Sequence, residues 1–259
     1  MKSTMGSLFA GIGGFDLGFE RAGFKTSWQV EIDPYCRKVL AKHFPEAERF
    51  EDVRECGKHN LRPVDVICGG FPCQDISVAG KGAGIDGERS GLWREFARVI
   101  GELRPRFAVV ENVPALLGRG ISRVLGDMAE IGYDAEWDCI SAASVGAPTI
   151  RDRVWILAYP GSESGESQGR INFQGRCDYM FPERDSWAQK ERSRDWELVE
   201  MVPGVHPGSA ADWWTRQSRV ARSVNGIPRE LVDARNSGLG NAVVPQIPEL
   251  IASRLKEIL

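Results

Sequence analysis

Short apolar runs alternate with segments of helical periodicity through the first 158 residues, and this alternation constrains the fold more than any other feature. It predicts an α/β protein whose open, mostly parallel sheet carries helices on both faces. In such sheets ligands bind beyond the carboxyl ends of the strands, so functional side chains are expected there. The apolar runs predict strands at Ser7–Phe9, Thr26–Glu31, Val64–Cys68, Phe107–Val110, Trp137–Ala142 and Val154–Ala158.

The helical segments are bounded by glycine and proline. Phe15–Ala22 predicts a helix closed by Gly23, and Pro34 opens the next one at its first turn. Apolar residues recur at helical spacing from Leu92 to Leu103, a further apolar helix runs from Pro114 through Ile131, and an amphipathic helix closes the chain. Its apolar positions are Ile247, Leu250, Ile251, Leu255 and Ile258.

The composition changes at Tyr159. Residues 159–230 are rich in Gly, Ser, Arg, Trp and Pro and poor in aliphatic residues, so we expect a small irregular lobe there. The periodic pattern returns at 231–259, which is expected to rejoin the domain formed by 1–158.

Composition and charge exclude several classes of protein. The 259 residues carry a formal net charge of −3, so nucleic-acid binding must rest on a local patch. No stretch approaches the ~20 apolar residues of a membrane span, and the N-terminus lacks the shape of a signal peptide. We interpret the six dispersed cysteines as reduced thiols of a cytoplasmic protein, with Cys68 and Cys139 buried and inert. The dispersed histidines (His43, His59 and His206) argue against a metal site.

A glycine-rich turn follows the first strand, in the run Phe9-Ala10-Gly11-Ile12-Gly13-Gly14. Such a turn lets a cofactor approach the backbone at a helix N-terminus. Glu31 ends the next strand, where its carboxylate can accept hydrogen bonds from ribose hydroxyls. The pattern suits NAD, FAD or S-adenosylmethionine, and a purely structural turn is the alternative. Asp52 and Val53 follow the segment after the helix that Pro34 opens. By the same reasoning about strand ends they can hold an adenine amino group, or they form an ordinary exposed turn.

A thiol and a carboxyl group also fall at strand ends. Cys73 follows Pro72 just past a buried strand, where a reactive thiol is partly exposed. The glycine-rich segment 77–91 then predicts a lid over the site. Glu111 ends an apolar strand, so desolvation is expected to raise its pKa and let it donate a proton. A carboxylate paired with a local arginine is the alternative for Glu111.

Two groups of arginines complete the candidate residues. Arg151 and Arg153 alternate on a strand, so both can clamp a phosphate or orient Glu111 and Cys73. Between Trp213 and Arg229 four arginines occur without an acidic residue, which is typical of a solvated face and also of a nucleic-acid contact.

In order along the chain, these motifs resemble those of the cytosine-C5 DNA methyltransferases. The resemblance covers residues 5 to about 158 and about 238 to 259, and Pro-Cys-Gln followed by Glu-Asn-Val is its most specific part. It implies a Rossmann-like α/β fold of the class I methyltransferase type, with a variable target-recognition lobe. The matching blocks are Phe9 to Gly14, Glu31-Ile32-Asp33, Asp52, Gly70 to Gln74, Glu111-Asn112-Val113, Arg151-Asp152-Arg153 and Gly240 to Pro245.

The resemblance also implies a role for each block. Cys73 would attack C6 of a flipped-out cytosine in double-stranded DNA, Glu111 would contact N3 and the exocyclic amine, and Arg151 and Arg153 would orient the base. S-adenosylmethionine would supply the methyl group, with no metal. The residues implied to bind the methyl donor are Phe9, Ala10, Gly11, Ile12, Gly13, Gly14, Glu31, Ile32, Asp52, Val53, Pro72, Asn241 and Val243. Those expected at DNA are Gln74, Lys81, Arg89, Arg216, Arg219 and Arg222.

Several points stay open at this level. Thr149 stands where the family usually has Gln; threonine is shorter and has one hydroxyl, so we expect a contact made by the amide to be lost or bridged by water. A related branch of the family acts on transfer RNA, although the Cys-Phe-Thr tripeptide of that branch does not occur here. We expect a monomer, and the sequence does not indicate whether a restriction nuclease accompanies it. A non-catalytic relic and a nicotinamide oxidoreductase explain the Pro-Cys-Gln block poorly.

Overall fold

The computed structural model describes residues 2–72, 91–147, 150–161 and 237–259. Its strands are β1 (Thr4–Leu8), β2 (Lys25–Val30), β3 (Glu48–Phe50), β4 (Val66–Gly69), β5 (Phe107–Asn112), β6 (Tyr133–Ser141) and β7 (Asp152–Pro160). Its helices are α1 (Gly14–Arg21), α2 (Pro34–His43), α3 (Leu92–Leu103), α4 (Leu116–Arg119), α5 (Ile121–Glu130) and α6 (Gln246–Lys256). Two 3-10 turns span Val53–Glu55 and Ala142–Val145.

The strands form one sheet in the order β3-β2-β1-β4-β5-β7-β6. Neighbours from β3 to β5 are parallel, whereas β7 pairs antiparallel with both β5 and β6. The order reverses between β1 and β4, since the chain builds outward from β1 on one side and from β4 on the other. Crevices at such reversal points receive ligands in open α/β sheets. The loops after β1 and β4 therefore meet at the favoured binding edge.

Helices cover both faces of the sheet, which confirms the predicted Rossmann-like α/β class. On one face, Phe15 and Phe19 of α1 pack with Ile247 and Ile251 of α6 against the sheet. The other face is covered by α3 and α5, with Phe96 and several aliphatic residues in the core. Each fully buried side chain of this size contributes roughly 1.5–3 kcal/mol, so both layers are needed to hold the sheet.

The C-terminal segment packs on the first helix. A Cβ atom added to Gly18 would lie 2.5 Å from the carbonyl oxygen of Pro245, so only glycine permits this approach of α1 and α6. At the edge of the contact, Lys256 donates to the carbonyl of Ala22 and Arg21 pairs with Glu249.

Three local expectations are corrected by the structure. The predicted helix through Ile131 is divided into α4 and α5 at Gly120, whose backbone is extended. Ile258 lies beyond the end of α6 and is exposed. Cys139 is exposed rather than buried, because it lies on the outermost strand β6, where alternate side chains face away from the core. The predicted lid and most of the predicted lobe lie outside the described residues.

Candidate active site

The glycine turn leaves β1 with unusual backbone angles. Phe9 has a φ of 55°, although it is not a glycine, and Gly11 and Gly13 have φ of 56° and 88°. A non-glycine residue in this region is strained by about 1–3 kcal/mol and is often found at functional sites. The ring of Phe9 stacks on Phe96 of α3 at 6.1 Å, which keeps the turn in this shape.

Glu31 ties the glycine turn to the start of α2. Its Oε2 accepts the backbone N–H of Gly11 at 2.7 Å, and its Oε1 accepts that of Asp33 at 2.8 Å. Asp33 in turn caps α2 by accepting the N–H of Cys36. Each carboxylate oxygen can still accept a second hydrogen bond, so Glu31 can hold ribose hydroxyls. The adjacent Ile32 is exposed and offers an apolar surface.

Asp52 lies where the chain leaves β3, beside the Glu31 strand, since Glu31 N–H donates to the carbonyl of Phe50. The guanidinium of Arg54 donates to both oxygens of Asp52, at 2.6 to 3.0 Å, and its backbone N–H donates as well. These bonds lower the pKa of Asp52. A ligand amino group at Asp52 must therefore share the carboxylate with Arg54. The shallow pocket here is lined by Arg49, Phe50, Glu51, Asp52, Glu55, Cys56 and Asn60.

Three other residues predicted to bind the cofactor differ in how far their side chains are exposed. The side chain of Ala10 is buried against Leu40, Phe44 and Ala47, and that of Val53 is buried in the core, so neither side chain is open to a ligand. Pro72 is half-buried at the end of a described range.

The C-terminal segment reaches the glycine turn from the other side. A Cβ added to Gly14 would lie 2.5 Å from the carbonyl oxygen of Val243, and Ile12 lies 3.2 Å from the corresponding position at Gly238. Asn241 is exposed beside them. The turn, Asn241 and Val243 are thus brought together although more than two hundred residues separate them in the chain.

Glu111 lies near the end of β5 with a side chain only 13% exposed. Its Oε1 is 2.8 Å from Nε of Arg153 on β7. Burial raises the pKa of Glu111, while the positive charges of Arg153 and Arg151 oppose the rise. The sequence left two alternatives for Glu111, a desolvated carboxyl group or a carboxylate paired with a local arginine. The structure shows both features together.

Arg151 contacts the C-terminal segment. Its Nη1 donates to the carbonyl of Gly240 at 2.9 Å, while its charge also acts on Glu111. Arg151 thus links the Glu111 site to the segment that carries Asn241 and Val243.

The loop after β4 is held against Glu111. A Cβ added to Gly70 would lie 2.7 Å from Oε2 of Glu111, so the absence of a side chain lets the carboxyl group approach. Asn112 is buried, donates through Nδ2 to the carbonyl of Phe71 at 3.2 Å and accepts the N–H of Val113. Asn112 thus braces the loop after β4 against the end of β5. The described loop ends at Pro72, one residue before Cys73.

Helix α3 supports the site in a way that the sequence analysis missed. Phe71 packs on Trp93 at 5.1 Å, Trp93 on Phe96 at 5.8 Å and Phe96 on Phe9, forming an aromatic series from the loop after β4 to the glycine turn. Trp93 also donates to Asp127 of α5 at 2.8 Å. The periodicity of α3 predicted that one face of this helix is buried, but it did not indicate which residues its aromatic side chains contact.

Several predicted site residues lie outside the described ranges, so the structure does not place them. They are Cys73, Gln74, Lys81, Arg89, Thr149, Arg216, Arg219 and Arg222. Among the residues that are placed, no three His, Cys, Asp or Glu side chains form a group that could hold a metal ion. No helix in the described ranges has the length and apolarity of a membrane span.

Comparison with known proteins identifies the class to which this fold and site belong. The family model described as C-5 cytosine-specific DNA methylase matches residues 3–197. The Type II methyltransferase M.NgoBI of Neisseria gonorrhoeae is 33% identical over 242 residues, covering 92% of this chain and 70% of that protein. The chain belongs to the C-5 cytosine-specific DNA methylase family.

Other relatives match over shorter parts. The Type II methyltransferase M2.BsuMI of Bacillus subtilis is 38% identical over 160 residues, and the chain spans only 41% of its length. A DNA modification methyltransferase encoded within an E. coli prophage matches with a TM-score of 0.53 and 31% identity, over 61% of this chain and 47% of that one. The S. pombe Dnmt2 methyltransferase shares the fold over 99% of both chains, with a TM-score of 0.61 and 16% identity.

Proposed function

We propose that this chain is a DNA (cytosine-5-)-methyltransferase that moves the methyl group of S-adenosylmethionine to C5 of a flipped-out cytosine. The observation that carries the proposal is the arrangement at the reversal point of the sheet. Glu111 is largely buried, pairs with Arg153 and lies against the loop that leads toward Cys73. The glycine turn and Glu31 follow β1 and β2, which continue the sheet beyond β4.

The residues fit the methyl donor. Glu31 offers acceptors for ribose hydroxyls, Asp52 offers an acceptor for an amino group, and the glycine turn offers backbone without side chains. S-adenosylmethionine supplies an electrophilic methyl group bound to a sulfonium. Asn241 and Val243 would close the site from the C-terminal segment.

The chain's own groups would perform the remaining steps. The Cys73 thiolate adds to C6 and forms a sulfur–carbon bond, which turns C5 into an enamine-like nucleophile. Protonated Glu111 donates a proton to N3 and so neutralises the charge that enters the ring. After C5 is methylated, loss of the C5 proton to a base breaks the sulfur–carbon bond, and Glu111 recovers the proton from N3. Arg153 and Arg151 would orient the cytosine and the Glu111 carboxyl group relative to each other.

The substrate would be double-stranded DNA. A cytosine inside the duplex must be extruded before a thiol can reach C6. We propose that Gln74, Lys81 and Arg89 contact the opened duplex, and that Arg216, Arg219 and Arg222 of the 159–230 lobe read its bases. The names of the relatives suggest the modification half of a restriction–modification pair.

The test measures transfer of tritiated methyl groups from S-adenosylmethionine to duplex DNA and to transfer RNA side by side. We expect label in DNA, no transfer by Cys73→Ser, and a covalent complex with duplex DNA containing 5-fluorocytosine, because fluorine cannot leave as a proton does. Label confined to transfer RNA would favour the RNA-modifying alternative. Full activity of Cys73→Ser would contradict the assigned nucleophile.

A further inference from the structure

The wall of the site around Asp52 has little support from the sheet. Strand β3 has three residues, lies at the edge of the sheet formed by the described strands, and within the described ranges pairs only with β2. The chain then enters the 3-10 turn Val53–Glu55, which follows Asp52 directly. A segment at a sheet edge opens easily unless another element holds it, so the position of Asp52 requires a support from elsewhere.

Arg98 of α3 supplies that support. Its Nη2 donates to the carbonyl of Val53 at 3.1 Å and to that of Cys56 at 2.8 Å. Val53 is the first residue of the 3-10 turn, and Cys56 directly follows it. The same guanidinium is oriented by Glu95 and Glu102 on its own helix, at 2.8 and 2.7 Å. Glu102 also accepts the backbone N–H of Lys58 at 3.0 Å. The segment is therefore fastened at three backbone positions by one ion-paired cluster.

The geometry requires arginine. A planar guanidinium presents five donors in fixed directions, whereas a lysine ammonium is a point charge that cannot serve both carbonyls and both carboxylates in this plane. Ion pairs that are a third exposed, as these are, stabilise little by themselves. The bonds from Arg98 to Val53 and Cys56 are thus the part of the cluster that affects the site.

We propose that Arg98 is a positioning residue that fixes Asp52 and the following turn as the wall for the adenine end of the methyl donor. Arg98 is not among the predicted ligand contacts and acts through the backbone of Val53 and Cys56. This inference rests on the proposed function, since it assumes that the donor's adenine lies at Asp52.

Calorimetric titration with S-adenosylhomocysteine tests the inference on the full chain. Arg98→Met keeps most of the aliphatic packing and removes every donor, and we expect its Kd to rise about tenfold, as for the loss of charge-assisted hydrogen bonds. Arg98→Lys should fall between this variant and the unchanged chain. Arg123→Met is the matched control, because Arg123 pairs with Asp127 at the same i,i+4 spacing on α5; its Kd should stay within about twofold.

Steady-state kinetics separates positioning from general damage. The KM for S-adenosylmethionine should rise in Arg98→Met, while kcat at saturating donor and the KM for DNA should change little. An unchanged Kd for S-adenosylhomocysteine in a folded Arg98→Met variant would overturn the inference, as would a fall in kcat alone. If Arg98→Met does not fold, Arg98→Lys decides by the same criteria. Failure of the unchanged chain to bind S-adenosylhomocysteine would instead refute the proposed function.

Discussion

Glu111 and Arg153 face each other across the paired strands β5 and β7, with 2.8 Å between the carboxylate and Nε of the guanidinium. Burial favours the protonated carboxyl group, and the two arginines favour the ionised one. The net result is a raised pKa, which favours the protonated carboxyl group that can donate a proton. A group that must donate a proton and later recover it needs this balance.

Replacing Glu111 by Gln should remove the proton donor while preserving the size of the side chain. We expect methyl transfer to duplex DNA to fall by about 10²- to 10⁴-fold, with little change in the Kd for S-adenosylhomocysteine. Tritium transfer and calorimetry measure the two quantities. Glu257→Gln, an exposed substitution of the same kind on the C-terminal helix segment, is the control. Unimpaired transfer by Glu111→Gln would exclude the assigned role.

Replacing Arg153 by Met should move the pH dependence of the reaction. Arg153 lowers the pKa of Glu111, so its removal leaves burial less opposed and raises that pKa further. The protonated form acts as donor, and it therefore persists to higher pH in the variant. The descending limb of kcat/KM against pH should shift to higher pH. The rate should nevertheless fall at every pH, because the target cytosine is held less firmly without Arg153. A limb that shifts downward would argue that Glu111 is not the titrating group.

A methyl group at Gly70 should displace the Glu111 carboxyl group. The added Cβ of Gly70→Ala would lie 2.7 Å from Oε2, closer than a carbon and an oxygen can pack. Misplacement of a reacting group by about 1 Å can cost roughly 10²-fold in rate. Gly126→Ala is the matched control, since nothing lies within 4 Å of its new Cβ and alanine favours the helix. Equal activity of both variants would show that the carboxyl group can move without consequence.

Asp16 should make the stability of the fold depend on pH. Burial raises its pKa from 3.8 to about 6, and it accepts from Ser7 and Gln29. The pKa of Asp16 is higher in the folded state than in the unfolded state. Its contribution to the free energy of unfolding is therefore fully present below pH 3.8 and is lost as the pH rises through about 6. The loss is about 3 kcal/mol. Urea titrations at several pH values should show this slope for the unchanged chain and a smaller one for Asp16→Asn. The exposed Asp134→Asn should retain the full slope.

Local sequence signals located most of the strands and the residues at their ends, but they predicted no strand at β3, which has only three residues. Apolar runs located β2, β4 and β5 to within about two residues, and β1 to within about three. Strand ends meet at one edge of a parallel sheet, which explains why Glu31 and Glu111 could be assigned to a common region before any coordinates. The apolar runs at Trp137–Ala142 and Val154–Ala158 predicted β6 and β7 as strands but not their antiparallel pairing, because pairing and register depend on partners that a local pattern does not specify.

The supporting contacts were not predictable in the same way. Arg98 is an ordinary charged position on an amphipathic helix, and only the tertiary packing of α3 beside the 3-10 turn brings it to the Val53 and Cys56 carbonyls. The exposure of Cys139 depended on its strand being outermost, which the composition of that strand does not reveal. Side chains that act through the backbone of another element give no local signal in a single sequence.

The dependence of the glycine turn on the C-terminal segment has a consequence for how the protein is made. Arg21 and Glu249, which meet at the edge of this contact, are 228 residues apart. A nascent chain leaving the ribosome therefore carries nearly every motif of the family while the side of α1 that α6 covers is still open to water. Products of interrupted translation that stop before Val243 should present this side of α1 to chaperones and proteases, and should be cleared rather than accumulate.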